Sequence, residues 1–288
     1  MAGRTDVAAL VAGLVTVALW GSSFVAIRDA GKTLSPGSLA LGRLLVSLVV
    51  LGVAAWVWRE PLPEWRDLLG IAAFGVLWLG VYSVCLNEAE RRVDAGTAAM
   101  LVAIGPVLIA VLAGIVLKEG FPRWLFAGCA LAFAGCVVIG LASSQSGSRA
   151  GLGVALLLVA VVAYAAAVVI QKPVLARVSP LQMTWLGCVA GAVVCLPFAA
   201  TLADDLRDAD ASAIGWMVYL GVASTAIGFA TWTYALRRMS AGRVSSLTYL
   251  VPVVAIGLGW AILGEAPPSL AAAGGALCLG GVVLARRR

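Results

Sequence analysis

RRVDAGTAAMLVAIGPVLIAVLAGIVLKEGFP, residues Arg91 to Pro122, and RRMSAGRVSSLTYLVPVVAIGLGWAILGEAPP, residues Arg237 to Pro268, are two copies of one pattern. Set against each other without a gap, at an offset of 146, these 32-residue windows share eleven identities: Arg91/Arg237, Arg92/Arg238, Ala95/Ala241, Gly96/Gly242, Leu101/Leu247, Pro106/Pro252, Val107/Val253, Leu112/Leu258, Leu117/Leu263, Glu119/Glu265 and Pro122/Pro268. Each copy is a basic turn, about 20 apolar residues broken near the middle by a proline, then a glutamate and a second proline. At 1.5 Å rise per residue, that apolar length matches the roughly 30 Å hydrocarbon core of a bilayer. The chain therefore reads as a duplicated membrane protein, and its function is to be sought where the halves meet.

Composition supports this reading. Of 288 residues, 62% are hydrophobic and 12% charged, with a mean hydropathy of +1.04. A water-soluble domain does not tolerate such a surface. No short apolar segment with a small-residue cleavage site is present, so the first apolar run, from Asp6 to Ile27, is expected to be a retained span. The six cysteines (Cys85, Cys129, Cys136, Cys188, Cys195, Cys278) lie inside apolar runs and read as small buried hydrophobes. The sequence has no histidine, which removes the commonest metal ligand and proton shuttle, and no cofactor is expected. A net charge of +6 reports loops at one membrane face and gives no argument for nucleic acid.

Ten apolar runs can be marked: Val7–Ile27, Gly37–Val57, Leu68–Leu86, Thr97–Leu117, Trp124–Ala142, Gly151–Ile170, Leu181–Ala199, Ser212–Leu236, Val244–Leu263 and Leu270–Ala285. Their short connections require neighbouring helices to run antiparallel. With the N-terminus inside, the cytoplasmic basic residues are Arg4, Arg59, Arg66, Lys118, Arg123, Lys172, Arg177, Arg237, Arg238, Arg243 and Arg286 to Arg288, thirteen in all. The opposite side holds six, namely Arg28, Lys32, Arg91, Arg92, Arg149 and Arg207, and Arg43 lies within a span. That bias predicts cytoplasmic termini. The polar segment Ser143 to Ala150 separates a first unit (1–142) from a second (151–288). Five spans on each side make the second unit upside down relative to the first, the inverted-repeat plan in which a substrate site lies near the midplane at the repeat interface. The unit starts also correspond, at an offset of 144: Trp20 with Tyr164, and Ser35-Pro36 with Ser179-Pro180. In the last run of each unit Gly128/Gly274 and Gly135/Gly281 correspond, spaced for close helix packing or an oligomer contact.

Trp20-Gly21-Ser22-Ser23-Phe24 in the first run, the Pro106…Glu119 and Pro252…Glu265 patterns, and the five-plus-five duplication together resemble the EamA-type members of the drug/metabolite transporter superfamily. The likeness covers nearly the whole chain. It implies an all-α membrane protein of ten transmembrane helices, two inverted five-helix repeats around a central cavity, in a bacterial inner membrane. It also implies export of amino acids or related metabolites, with aromatic and broad amino-acid exporters as the nearest analogues. The expected partners are a small-molecule substrate and the lipid bilayer, with no nucleic acid, and the chain is expected to be a monomer or weak oligomer. Drugs or other metabolites remain alternative cargoes, and a non-transporting receptor or assembly subunit is the alternative of another class.

Candidate lining residues are polar or aromatic groups sharing a helical face at midspan. Trp78 and Tyr82, spaced i and i+4, lie on one side of the third run. The repeat places Ser224 and Gly228 at the equivalent positions of the eighth, with Thr231 and Trp232 a turn further on. Trp20, with Ser23 beside it, and Tyr164 occupy equivalent depths in the first and sixth runs, and Met100 and Tyr249 lie near the two prolines. An aromatic and hydroxyl lining suits apolar or aromatic amino acids through dispersion and stacking. For each of these residues helix packing is the competing role. Trp56, Trp58, Trp65, Trp124, Trp185 and Trp216 sit at run ends, where an aromatic belt accounts for them.

Pro106 and Pro252 each remove a donor at midspan, leaving carbonyls near Val102 and near Leu247 or Thr248 to be satisfied, and serve either as hinges for rocking or as fixed kinks. Glu119 and Glu265 are placed to accept hydrogen bonds from the next helix's N-terminus. Arg43, about two turns inside a span, must snorkel outward, be paired near the cavity, or contact a substrate carboxylate. No Asp or Glu lies at midspan, and Glu88 and Glu90 are close to the outer end. The expectation is a facilitator running down its substrate gradient rather than a proton antiporter, unless a helix-end residue carries the coupling. Without histidine or clustered carboxylates an intramembrane enzyme is disfavoured, and no charge ring or filter sequence suggests a channel.

Overall fold

The computed structural model describes residues 7–118, 121, 124, 127–128, 130–131, 133–135, 137–138, 148–239, 241–265 and 267–285. Four helices come from the first unit: α1 (Val7–Ala30), α2 (Pro36–Val57), α3 (Trp65–Glu90) and α4 (Ala95–Val116). Five come from the second: α5 (Ser148–Val174), α6 (Pro180–Asp208), α7 (Ala211–Arg238), α8 (Leu247–Leu263) and α9 (Ser269–Ala285). Among the described residues, seven helices are long and apolar enough to cross a membrane, and two shorter apolar helices accompany them. Most of the fifth run, the 143–147 part of the linker, Cys129, Cys136, Glu119 and Pro122 lie outside the described residues.

Local signals set the helix starts. Ser35 and Ser179, each followed by a proline in the first turn, cap α2 and α6 by accepting from the amides of Ser38 and Gln182. Asp94 caps α4 through the Thr97 amide at 2.8 Å, and Asp210 caps α7 through the Ala213 amide at 2.7 Å. Exposed apolar side chains run along the outside of the helices, among them Val49, Val53, Val159, Val162 and Val193. Such a surface fits a hydrocarbon solvent. Trp56, Trp58 and Trp65, at helix ends, are 69–85% exposed, as a belt at the membrane boundary requires.

The duplication is visible in irregularities as well as identities. Backbone turns widen to π-helical geometry over Gly75–Tyr82 in α3 and over Leu220–Ile227 in α7, stretches that match to within one residue at the 146-residue offset. The glycine at each site permits close approach. A Cβ on Gly75 would meet the Gly187 carbonyl oxygen of α6 at 2.2 Å, and one on Gly221 would meet Val46 Cβ of α2 at 2.6 Å. Packing between the halves is reciprocal: α1 lies against α7 and α8 as α5 lies against α3 and α4, and α2 against α7 as α6 against α3. The same pairings of helices thus recur in both directions between the halves. Gly135 sits against Gly274 and Cys278, where a Cβ would meet the Gly274 carbonyl at 2.5 Å, so this glycine serves helix packing.

Polar bridges join positions that charge counting assigned to one side. On the side of Arg28, that guanidinium pairs with Glu265 at 3.1 Å, Asp205 accepts from the Ser35 amide at 2.8 Å, and Trp216 Nε1 donates to Asp29 at 2.9 Å. On the other, Arg177 Nε donates to Asp67 at 2.8 Å and Lys172 Nζ to the Met239 carbonyl at 2.7 Å. Glu265 thus departs from the expected capping role. The Arg28 cation, a full charge within reach, outcompetes the weaker positive end of a helix dipole.

Candidate substrate site

A cavity lies between the two halves, bounded by α1, α2, α3, α4, α5, α7 and α8. Its lining contains three pairs of repeat-equivalent residues: Trp20 with Tyr164, Trp78 with Ser224, and Val102 with Thr248. The space therefore takes corresponding positions of both copies into its lining. Ser23, Phe24, Arg43, Tyr82, Leu86, Phe229 and Val251 are among the residues that complete it.

The aromatic wall is a connected cluster. Trp78 is 2% exposed and packs between Trp20, Tyr164 and Phe229, with ring centroids 5.5, 4.6 and 4.9 Å away. Tyr82, one wide turn along α3, reaches Tyr164 at 6.1 Å. Tilted and edge-on contacts of this kind stabilise one another while leaving ring faces available. Trp20 Nε1 donates to the Ser224 carbonyl at 3.2 Å, tying α1 to α7, and Ser23 Oγ donates to the Trp20 carbonyl at 2.7 Å. Two glycines make room for these rings. A Cβ on Gly105 would lie 2.2 Å from Tyr164 Cε1, and one on Gly228 would lie 2.9 Å from Trp20 Nε1.

Of the residues singled out in the sequence, Trp20, Ser23, Trp78, Tyr82, Tyr164 and Ser224 are brought together around this space. The others are directed elsewhere. Gly228 contributes room for Trp20 instead of a lining surface. Thr231 hydrogen-bonds Thr16 across the α1–α7 contact at 2.8 Å, and Trp232, 1% exposed, packs behind Trp20 at 5.1 Å between centroids. Met100 turns toward α9, where its sulfur fills the space left by Gly275. Tyr249 packs around Val107 in a separate apolar cluster. The reason is angular: each residue advances about 100° around a helix, so near neighbours of a lining residue face other helices.

Arg43 does not snorkel: it is 4% exposed, lines the cavity, and donates from Nε to Thr225 Oγ1 at 3.0 Å. Glu90, at the end of α3, is 1% exposed, and among the described residues neither of its carboxylate oxygens has a hydrogen-bond partner. The prolines also differ from a simple midspan kink. α4 breaks at Ala103–Ile104 and restarts with Pro106 in its first turn, while a tight 3₁₀ stretch, Ser246–Leu250, leads into α8, whose α-helical part carries Pro252 in its first turn. Restarting the helix places each proline where its missing N–H costs nothing. Val102 and Thr248, four residues before the prolines, line the cavity.

An apolar multi-span helical bundle with an aromatic cavity between its duplicated halves defines a membrane transport protein. The sequence pattern of the EamA-like transporter family matches residues 7–141 and again 151–287, and the chain belongs to that family. It is 38% identical over 282 residues to a protein of Streptantibioticus cattleyicolor named a probable terminal-alkyne amino-acid exporter, covering 96% of this chain and 92% of that one. It is 30% identical over 276 residues to an uncharacterized transporter of Archaeoglobus fulgidus, covering 95% and 97%. The inner membrane transporter YedA of Escherichia coli, itself uncharacterized, is 27% identical over 257 residues, covering 86% of this chain and 80% of YedA. A solved crystal structure, 20% identical, superposes with a TM-score of 0.68 over 99% of this chain and 97% of the other, which speaks to the fold alone.

Proposed function

We propose that this transporter exports amino acids with apolar or aromatic side chains by alternating access, from a bacterial cytoplasm in which both termini lie. Ten spans form two inverted five-helix units, 1–142 and 151–288, joined by the 143–150 linker, and the substrate occupies the cavity between them. The observation that carries this reading is the lining by repeat-equivalent pairs, because alternating access in inverted repeats rocks one unit against the other around a site they share. Aromatic rings offer dispersion and stacking to the side chain, while Ser23, Ser224 and Thr248 supply polar groups to its polar end. The amino-acid cargo of the Streptantibioticus relative points the same way. Efflux of labelled leucine and phenylalanine from proteoliposomes tests the proposal. Trp20→Ala, Tyr82→Ala and Tyr164→Ala are each expected to reduce flux at least about tenfold. Unaltered rate and selectivity in all three folded variants would remove the cavity from the pathway.

The driving force has two readings. With no acidic residue lining the cavity among the described residues, transport runs down the substrate gradient. Proton exchange through Glu90 is the second reading, favoured by its burial without a partner one turn beyond the lining residue Leu86. Loaded vesicles with an imposed pH gradient separate them. Gradient-independent flux in both wild type and Glu90→Gln supports the first, and wild-type stimulation that is lost in Glu90→Gln supports the second.

A further inference from the structure

We infer that the Arg43 guanidinium is the docking point for a substrate carboxylate, so the transported solutes are carboxylates and simple amines are excluded. The inference rests on the cavity being the transport site proposed above and names the chemical group the cavity selects.

A guanidinium keeps its charge at any accessible pH and carries five N–H donors. In Arg43 one of these is used, by Thr225, itself fully buried. Among the described residues the guanidinium makes no other hydrogen bond and no ion pair; neither Glu90 nor any other acid is within bonding reach. Its remaining nitrogens are nevertheless not sealed against apolar atoms. In a side chain that is 4% exposed and lines the cavity, the free donors open into that space.

The backbone holds this cation in place from both sides. Ser47 Oγ lies 2.7 Å from the Arg43 carbonyl and 2.8 Å from the Gly221 carbonyl, which ties α2 to the wide turns of α7. The close approach at Gly221 brings α7 within reach of the Arg43 backbone, since a Cβ there would stand 2.9 Å from the Arg43 carbonyl oxygen. Among the described residues no second cation lines the cavity, and at the 144-residue offset the counterpart of Arg43 is Gly187. The cavity therefore has one charged corner, positive and unpaired, and an aromatic remainder. A buried unpaired charge is costly unless something neutralises it. A carboxylate does so with the two-pronged geometry that guanidinium prefers. An ammonium on the same solute then lies toward the ring faces and hydroxyls, where cation–π attraction holds it. An amine lacking the carboxylate would bring a second positive charge into a low-dielectric space.

The test uses the full chain in proteoliposomes, with labelled leucine as cargo. Competitors are leucine, its deaminated acid 4-methylpentanoate, and its decarboxylated amine 3-methylbutylamine. In wild type the acid is expected to compete and the amine to be at least about tenfold weaker. Arg43→Gln should raise half-saturation for leucine at least about tenfold and abolish the preference for acid over amine, while Arg43→Lys retains the preference with weaker binding. Equal competition by amine and acid in wild type, or an unchanged preference in Arg43→Gln, overturns the inference. Quenching of tryptophan fluorescence by the same three compounds gives a readout that needs no transport. If leucine flux is absent yet 4-methylpentanoate binds and 3-methylbutylamine does not, the carboxylate site stands and amino-acid export falls. If neither binds, both fall. Should Arg43→Gln fail to fold, the wild-type competition and Arg43→Lys decide the matter.

Discussion

Trp78 and Ser224 stand at the same position of two copies of one unit, and the difference in their size gives the cavity its shape. Both line it, the indole as one of its largest side chains and the hydroxymethyl group as one of its smallest. Trp78→Ala should cost about 3–5 kcal/mol, as removal of a large buried aromatic does, and enlarge the cavity. Thermal unfolding in detergent measures the first effect, and a shift of selectivity toward bulkier cargo measures the second. Gly105→Ala acts on Tyr164 without touching it in sequence. The added methyl must displace the ring, at a cost of about 1–3 kcal/mol, and flux should fall by more than Tm alone explains. The aromatic members of this site were legible because period and repeat both pointed at them. Phe229 and Val251 were not, since an apolar residue in an apolar helix gives no sign of which way it faces.

At the scale of the helix, the breaks in α4 and α8 set these two elements apart from straight rods. Each places a proline in the first turn of a restarted segment, and each leaves the residue four positions earlier, Val102 or Thr248, on the cavity wall. Because the prolines occupy positions that helices favour, Pro106→Ala and Pro252→Ala should alter stability by less than about 1 kcal/mol. If the segments hinge, the maximal rate should fall about fivefold while half-saturation stays within about twofold. Steady-state efflux over a concentration series separates the two parameters. A rate equal to wild type in the double variant would mean that the bends are fixed.

For the whole molecule, the bridges at either end of the bundle are of unequal kind. Arg28 joins three elements, pairing with Glu265 beyond α8 and donating to the Glu90 carbonyl at 2.5 Å, and so spans both units on the side assigned to the exterior. The Asp67–Arg177 pair at the other end has its guanidinium about half exposed and its carboxylate buried. Glu265→Gln should therefore loosen the exterior side. In a cysteine-free background carrying Phe24→Cys, labelling by an impermeant thiol reagent from outside should rise at least about threefold over the parent, whereas Asp67→Asn should leave it unchanged.

Composition, the 146-residue offset and the serine–proline caps determined by themselves that the chain is a duplicated helical membrane protein, because lipid leaves backbone polar groups few alternatives to helix and a repeat needs no coordinates to be seen. The half-dozen aromatic and hydroxyl residues that share the cavity were also within reach of that reading. Only the tertiary structure decided that Thr231 and Trp232 serve the α1–α7 contact, that Met100 fills the gap at Gly275, that Glu265 answers to Arg28, and that the lone arginine of α2 opens inward. These outcomes depend on which faces of distant helices meet, and on wide turns and chain breaks that rotate a face after the pattern has been laid down. Periodicity along one chain carries no record of such rotations.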